Sequence, residues 1–258
     1  MKTISIINLK GGVGKTFTAI QMAYGLQLEG KKVLLLDNDK QGNLSKFYKV
    51  YSNTEECAAA KLLSTYQPIL KTLEEETQYK NQYIINANMS LLTATLEVTK
   101  TTASDQHLRF KRIIQQAEKA GYDYMIIDNP PDMGLNVINA LIITDDVIVP
   151  IKIDEWALEG LDIIIEQIEN AKALNEKIRF AGALVTNYKK NDSNIAGVDW
   201  LKESNYKIFD TKIRYSDKAT ESIFFHKAVQ EYSPRSAVAI DYKKFIKEYE
   251  SEVTYGKN

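Results

Sequence analysis

A doubly wound α/β fold, with a mostly parallel sheet and helices on both faces, is predicted by three features of this sequence. Short β-branched apolar runs alternate with longer helical patterns, the arrangement that builds a parallel sheet covered on both sides. A glycine-rich segment, residues 8–16, lies directly between the first apolar run and the first helical one. The chain has 258 residues, 44% hydrophobic and 26% charged, which is the size and balance of one large packed domain.

The strand candidates, in chain order, are residues 3–8, 32–37, 124–128, 146–151, 179–186 and 207–213, with a weaker pair at 83–86 and 90–95. Strands buried on both faces need not alternate polar and apolar residues. Leu161, Ile164, Ile165, Ile168 and Ala171 fall on one i, i+3, i+4, i+7 stripe, which predicts a helix packed on the sheet. Val238, Tyr242, Phe245, Ile246 and Tyr249 predict a C-terminal helix, about residues 235–250, docked on the body of the protein. The tail, 250–258, is polar. Residues 52–82 carry the least pattern, and the Glu74 to Glu76 run reads as the solvated face of a helix. No repeat, low-complexity tract or linker marks a second domain, so residues 1–258 read as one.

The 33 Lys and Arg balance the 34 Asp and Glu, so the net charge of -1 gives no global attraction to nucleic acid or to an anionic membrane. Such binding would need a local patch. Cys57 is the one cysteine, which rules out an intrachain disulfide and cannot by itself hold zinc or an iron–sulfur cluster. A reducing cytoplasm fits. The start lacks signal-peptide features and no run of 18 apolar residues occurs, so a soluble, unprocessed protein is expected.

The strongest chemical signal is Asn8-Leu9-Lys10-Gly11-Gly12-Val13-Gly14-Lys15-Thr16, followed by the helical run 19–29. Glycines turn the backbone tightly and let several N–H groups point at phosphate oxygens, and the next helix adds its positive N-terminal end. In such a loop Lys15 reaches the β and γ phosphates and the Thr16 hydroxyl holds a bridging magnesium ion. The usual pattern has glycine where Leu9 stands; here a lysine, Lys10, precedes two glycines instead. The competing reading is a glycine-rich strand-to-helix turn with no ligand.

This variant loop resembles that of the ParA/MinD group of deviant Walker ATPases, and more specifically ParA proteins of plasmids and mobile elements. Four further segments extend the resemblance in order over nearly the whole chain: VLLLDNDKQGN at 33–43, YMIIDNPPDMG at 124–134, VPIKIDEWALEGL at 149–161, and IRYSDKATES with EYSPRSAVAIDYKKF in the last third. Departures occur at Phe17, where a second threonine is usual, at Asn38 and Lys40 around Asp39, and at Asn129, Asp132 and Met133 in the switch loop.

The resemblance implies roles. Lys10, Gly11, Gly12, Val13, Gly14, Lys15, Thr16 and Phe17 would bind ATP, with Lys10, Lys15 and Asp39 acting in hydrolysis. Asp39, at the end of a strand beside the loop, would orient the attacking water; a surface aspartate in the turn before Gly42 is the alternative. Asp128 ends an apolar strand, where a buried carboxylate is costly unless paired or metal-linked, and would meet Mg2+ through water beside Thr16. Lys10 would cross to the partner's phosphates in an ATP-dependent sandwich homodimer, the in-trans logic of an arginine finger; an exposed lysine adding positive field is the rival. Asn187 would read the adenine edge, or serve only as a turn asparagine.

ParA proteins commonly bind non-specific DNA as the ATP dimer, which implies association with the nucleoid in that state. The candidates here are Arg214, first, with Lys212, Lys218, Lys189, Lys190 and Lys227, set against the plain reading of solvated surface charges. No helix-turn-helix segment precedes the loop, so operator-specific autoregulation is not expected. A ParB-like centromere-binding partner is implied. Three rivals stand beside this reading. One is a MinD-like or other cargo-positioning ATPase without DNA binding, although the tail lacks the basic amphipathic helix a membrane switch needs. The others are a metabolic enzyme using a related loop and a nucleotide switch without turnover.

Overall fold

The computed structural model describes residues 1–154 and 156–255, so Glu155, within the segment 149–161, and residues 256–258 of the polar tail lie outside the description. Seven strands form one sheet: β1 (Lys2–Ile6), β2 (Val33–Asp37), β3 (Glu74–Glu76), β4 (Gln82–Ile85), β5 (Tyr124–Asp128), β6 (Asp146–Lys152) and β7 (Arg179–Thr186). Their order is β3-β4-β2-β5-β1-β6-β7, parallel except for β3, which runs antiparallel to β4. Ile4, Ile6, Leu35 and Ile126 pack on one face and Leu34, Leu36, Met125 and Ile127 on the other, so the central strands are buried on both faces. The doubly wound α/β prediction holds.

Register fixes the site. Ile6 of β1 and Asp37 of β2 both pair with Asp128 of β5, so three strands end at one level. Ligands of such sheets bind at the carboxyl ends of the strands.

The helix Ala157–Ala171 buries Leu161, Ile164 and Ile168 and half-buries Ile165 and Ala171 against β6 and β7. The C-terminal helix runs Ala237–Tyr255, longer than its apolar stripe implied, and buries Val238, Tyr242, Phe245, Ile246 and Tyr249 with the helix Lys15–Leu28. Among the described residues no helix is long and apolar enough to cross a membrane.

Three local expectations are corrected. Residues 90–95 belong to a helix, Ser90–Lys100, in which Leu91, Ala94 and Val98 are buried. Within that helix the threonine hydroxyls bond back to the preceding turn, Thr95 to Leu91 O and Thr99 to Thr95 O, both at 2.7 Å. Glu74 to Glu76 form the edge strand β3 rather than a helix face, and their charge keeps that edge from pairing with another sheet.

Residues 207–213 form no strand: Ile208 bridges Ala183 and, beyond the ends of both segments, Arg214 bridges Tyr188, with scattered backbone hydrogen bonds involving Lys207, Phe209 and Ile213 between them. The amides of Asp210 and Thr211 donate to the Glu248 carboxylate, at 2.6 and 3.0 Å, instead of continuing a ladder.

Candidate nucleotide site

Residues 7–14 leave β1 and turn into the helix Lys15–Leu28. Gly12 and Gly14 have φ of 72° and 90°, a left-handed conformation that other residues adopt at a cost. Gly14 is the N-cap and no side chain caps the helix, so its first amides stay open to an anion. Space beyond Gly11 and Gly12 is also open, since a Cβ there would meet nothing within 4 Å. The loop is pinned from outside: Asn8 Nδ2 donates to Pro150 O at 2.8 Å, Lys10 N to Asn8 Oδ1 at 2.9 Å, and Thr186 Oγ1 to Val13 O at 2.7 Å. A cradle held this way needs little reorganisation on binding.

Lys15 is buried and folds back over the loop, its ammonium donating to Lys10 O at 2.9 Å. Burial lowers its pKa, against the opposing charges of Asp128, Asp39 and Asp132. Asp128 is 1% exposed, and among the described residues neither carboxylate oxygen has a partner within 3.5 Å in hydrogen-bonding geometry, although the Thr16 hydroxyl is close by. Burial, and then the charge of Asp37, push its carboxyl well above the ordinary range, while nearby Thr16 and Lys15 pull it down. A buried carboxylate without a geometric partner, beside a hydroxyl and a lysine, is a site with unmet demand for a cation or its water. That donor set fits a hydrated magnesium ion, which is hard and oxygen-seeking.

Asp39 follows β2, is 9% exposed, and accepts from Gln41 N at 2.9 Å through Oδ1. Behind it stands Asp37, which the sequence reading passed over although it ends a buried strand as Asp128 does. Asp37 is fully buried, accepts from Ser45 N and Oγ at 2.8 and 2.7 Å and from Asp39 N at 3.2 Å, and is pushed up by burial to about 6.

Lys10 points into its own subunit, to Asp154 Oδ1 at 2.6 Å with its ammonium 5.6 Å from the Trp156 ring centre. Neither partner was legible, because both follow β6, far along the chain.

Next to Gly14 and Phe17 opens a cavity of about 200 Å³, lined also by Thr186, Asn187, Ile213 and Tyr242. Asn187 has φ of 52°, so it is a turn asparagine and a cavity residue at once. Phe17 packs edge-on against Tyr242 at 5.4 Å, and Thr18 Oγ1 meets Tyr242 OH at 2.9 Å. The departure at Phe17 thus joins the loop to the C-terminal helix.

The basic candidates are only partly gathered. Lys189 stacks 4.2 Å over Tyr215 and Lys212 lies 6.0 Å from Tyr188, near Arg214 at the end of β7. Arg214 forks onto Asp241, with Nε at 2.8 Å and Nη2 at 2.7 Å, and that hydrogen bonding raises its pKa further. Lys218 pairs with Glu221 at 2.7 Å and Lys227 with Glu231 at 3.4 Å. Lys190 is exposed in the loop after β7.

A family model described as an AAA domain matches residues 1–180. The sporulation initiation inhibitor protein Soj of Bacillus subtilis is 33% identical over 251 residues, covering 96% of this chain and 97% of that one. The chromosome-partitioning ATPase Soj of Treponema pallidum is 30% identical and covers 96% of each. Among solved structures, cobyrinic acid a,c-diamide synthase of Mycobacterium smegmatis with bound ATP analog and magnesium superposes with a TM-score of 0.83 at 23% identity, covering 99% of this chain and 97% of that one. The last likeness speaks for the fold alone. The sequence likenesses run along nearly the whole of both chains, and on that ground this protein belongs to the ParA/Soj family of partition ATPases.

Proposed function

We propose that this chain, as a single domain, is an ATP-dependent switch that dimerises on ATP, binds non-specific DNA and hydrolyses ATP on stimulation by a ParB-like partner, so that a replicon is segregated. The observation that carries the nucleotide part is Asp128, buried with neither oxygen in a geometric hydrogen bond, beside Thr16 and Lys15 beneath an open glycine loop. Residues 10–17 would cradle the phosphates, and the cavity at Phe17 and Asn187 is of a size for the base. Thr16, and Asp128 through water, would hold Mg2+, which when bound supplies positive charge on the β and γ phosphates.

The remaining chemistry belongs to the chain itself. Lys15 places a partly desolvated ammonium where charge develops on the transferred phosphoryl group. Asp39 orients water for in-line attack, and Lys10, released from Asp154, adds its charge to the site of a second subunit.

The pairing of Arg214, Lys218 and Lys227 with acidic side chains favours a second reading, a cargo-positioning ATPase without DNA binding. Binding to non-specific duplex DNA separates the two, measured with ATP, ADP and no nucleotide at low and moderate salt, for wild type and Asp39→Ala. DNA partition requires binding in the ATP state alone, lost on raising salt. Absence of binding in every state supports cargo positioning through another surface.

A further inference from the structure

Apart from Phe17, the departures of this chain from the family pattern lie in two segments far apart in sequence, after β2 and after β5, and the fold pairs them. Asn38, fully buried, donates its amide to Asn129 Oδ1 at 2.9 Å and to Asn136 O at 3.1 Å. Asn136 returns the contact, donating through Nδ2 to Asn38 O at 2.9 Å, and Asn129 Nδ2 donates to Ile6 O at 3.3 Å at the end of β1. Two residues after Asn38, Lys40 Nζ meets Asp132 Oδ2 at 2.8 Å. Asp39 sits between the two contacts.

Each contact is informative for a different reason. A buried amide is costly when unbonded, and the donor to Asn129 Oδ1 is Asn38, so the Asn129 carbonyl is satisfied because Asn38 is present. Lys40 and Asp132 are 33% and 43% exposed, so their pairing adds little stability. What it does is span a gap. A cavity of about 290 Å³, bounded also by Leu91, Leu92 and Met133, lies beside the pair, so side-chain packing does not close the two loops together there. Gly42, at the far end of the Asp39 loop, has φ of 62°, and a Cβ would stand 2.6 Å from Ala87 O, which fixes that end as well.

We propose that the Asn38–Asn129 and Lys40–Asp132 pairs are positioning residues that tie the Asp39 loop to the loop after β5, so that the two loops act as one body in ATP hydrolysis. The proposal rests on the reading of Asp39 as the water-orienting carboxylate. A reacting group must be held within a fraction of an ångström to be effective, and a loop tied on both sides of that group meets the requirement. The loop after β5 begins at Asp128, so the tie also sets Asp39 relative to the cation side of the site.

The test is a double-mutant cycle on the rim pair, reading kcat and KM for ATP and the affinity of a fluorescent ATP analogue with Mg2+. Lys40→Met and Asp132→Asn should each lower kcat about threefold to fivefold, the range for a partly exposed ion pair. KM and analogue affinity should stay within about twofold of wild type, which a general loss of structure would not allow. The double variant should fall no further than either single one, and Lys40→Arg should restore the rate. Asn38→Ala should lower kcat at least about tenfold; the rim pair keeps the proposal testable where that variant does not fold. Unchanged kcat in both rim variants, or single effects that multiply in the double, overturns the proposal. Asp39→Ala run alongside separates the causes: hydrolysis at the wild-type rate overturns the Asp39 reading itself, whereas slow hydrolysis with unaffected rim variants overturns the tie alone.

Discussion

Lys10 Nζ lies 2.6 Å from Asp154 Oδ1, so the lysine assigned to a partner's phosphates is held by a carboxylate of its own subunit. With side chains 29% and 36% exposed, that pair is worth at most about 1 kcal/mol, and a phosphate bearing more charge can displace it. Lys10→Ala should keep nucleotide binding and lose the ATP-dependent dimer. Asp154→Asn should strengthen the dimer, by up to about thirtyfold in its association constant, because each of the two lysines of a dimer no longer has a competitor to leave. Sedimentation in ATP, in an Asp39→Ala background proposed to slow turnover, measures both. A dimer unaffected by Asp154→Asn would mean that the contact does not compete.

Lys15 is the cation nearest the centre of the loop, with its ammonium on Lys10 O. Lys15→Ala should weaken Mg-ATP binding by at least about a hundredfold, as expected when a desolvated charge that faces phosphate is removed. The protection that ligand gives against thermal unfolding should disappear with it. A normal ligand-induced rise in Tm would place the phosphates elsewhere.

Asp39→Ala should bind ATP as tightly as wild type and hydrolyse it about a hundredfold more slowly, leaving the dimer trapped. Retained binding is expected because, among the described residues, the Asp39 carboxylate accepts only from Gln41 N, within its own loop. Single-turnover hydrolysis measures the step directly, and a wild-type rate would remove Asp39 from the chemistry.

What the sequence made legible is what is local. The loop at 8–16 and the strands ending in Asp128 and Thr186 carry their chemistry and their secondary structure in the same few residues. The C-terminal helix was legible too, because five large apolar residues repeat at helical spacing. What stayed hidden depends on contacts between distant segments. Lys10 with Asp154 and Arg214 with Asp241 join residues 144 and 27 positions apart, and charge type alone does not choose among so many partners. Residues 90–95 were misread as a strand for a different reason: β-branched Thr93 and Thr95 suit strands as well as helices, and the helix becomes evident only where the Thr95 hydroxyl bonds back to Leu91 O. The segment 207–213 was misread because Glu248, from another element, takes the amides that a strand would have used.

Asp37 gives a pH dependence with a definite sign. Burial raises its folded pKa to about 6, above the ordinary value of 3.8, so between those values the folded state holds a proton that the unfolded state has lost. Stability from this group is therefore full below the unfolded pKa and is lost as pH rises through about 6. Asp37→Asn does not titrate. Measured without nucleotide by urea unfolding, wild type should compare best with Asp37→Asn near pH 4 and worst above pH 7. A difference between the two that stays constant across this range, or grows in favour of wild type with rising pH, would contradict the shift.

Asp146 is fully buried where β6 begins and gathers Arg179 Nε at 2.6 Å, Lys2 Nζ at 3.1 Å and Tyr249 OH at 2.7 Å. The tyrosine comes from the C-terminal helix, so this carboxylate ties that helix to the sheet edge opposite the nucleotide site. Removing the hydroxyl with Tyr249→Phe leaves the two cations in place and should cost about 1.5–3 kcal/mol, the range for a hydrogen bond to a charged group. Asp146→Asn should cost more, about 2–4 kcal/mol, less than a fully buried pair because Arg179 and Lys2 reach water at 44% and 28% exposure. Nucleotide affinity in Tyr249→Phe should stay within about twofold of wild type, because the same helix still meets the loop through Tyr242, Phe17 and Thr18. Urea unfolding and analogue binding read the two effects separately. If affinity fell in step with stability, the helix would have to move as a unit between its two ends, and the Tyr242 contact alone would not secure it.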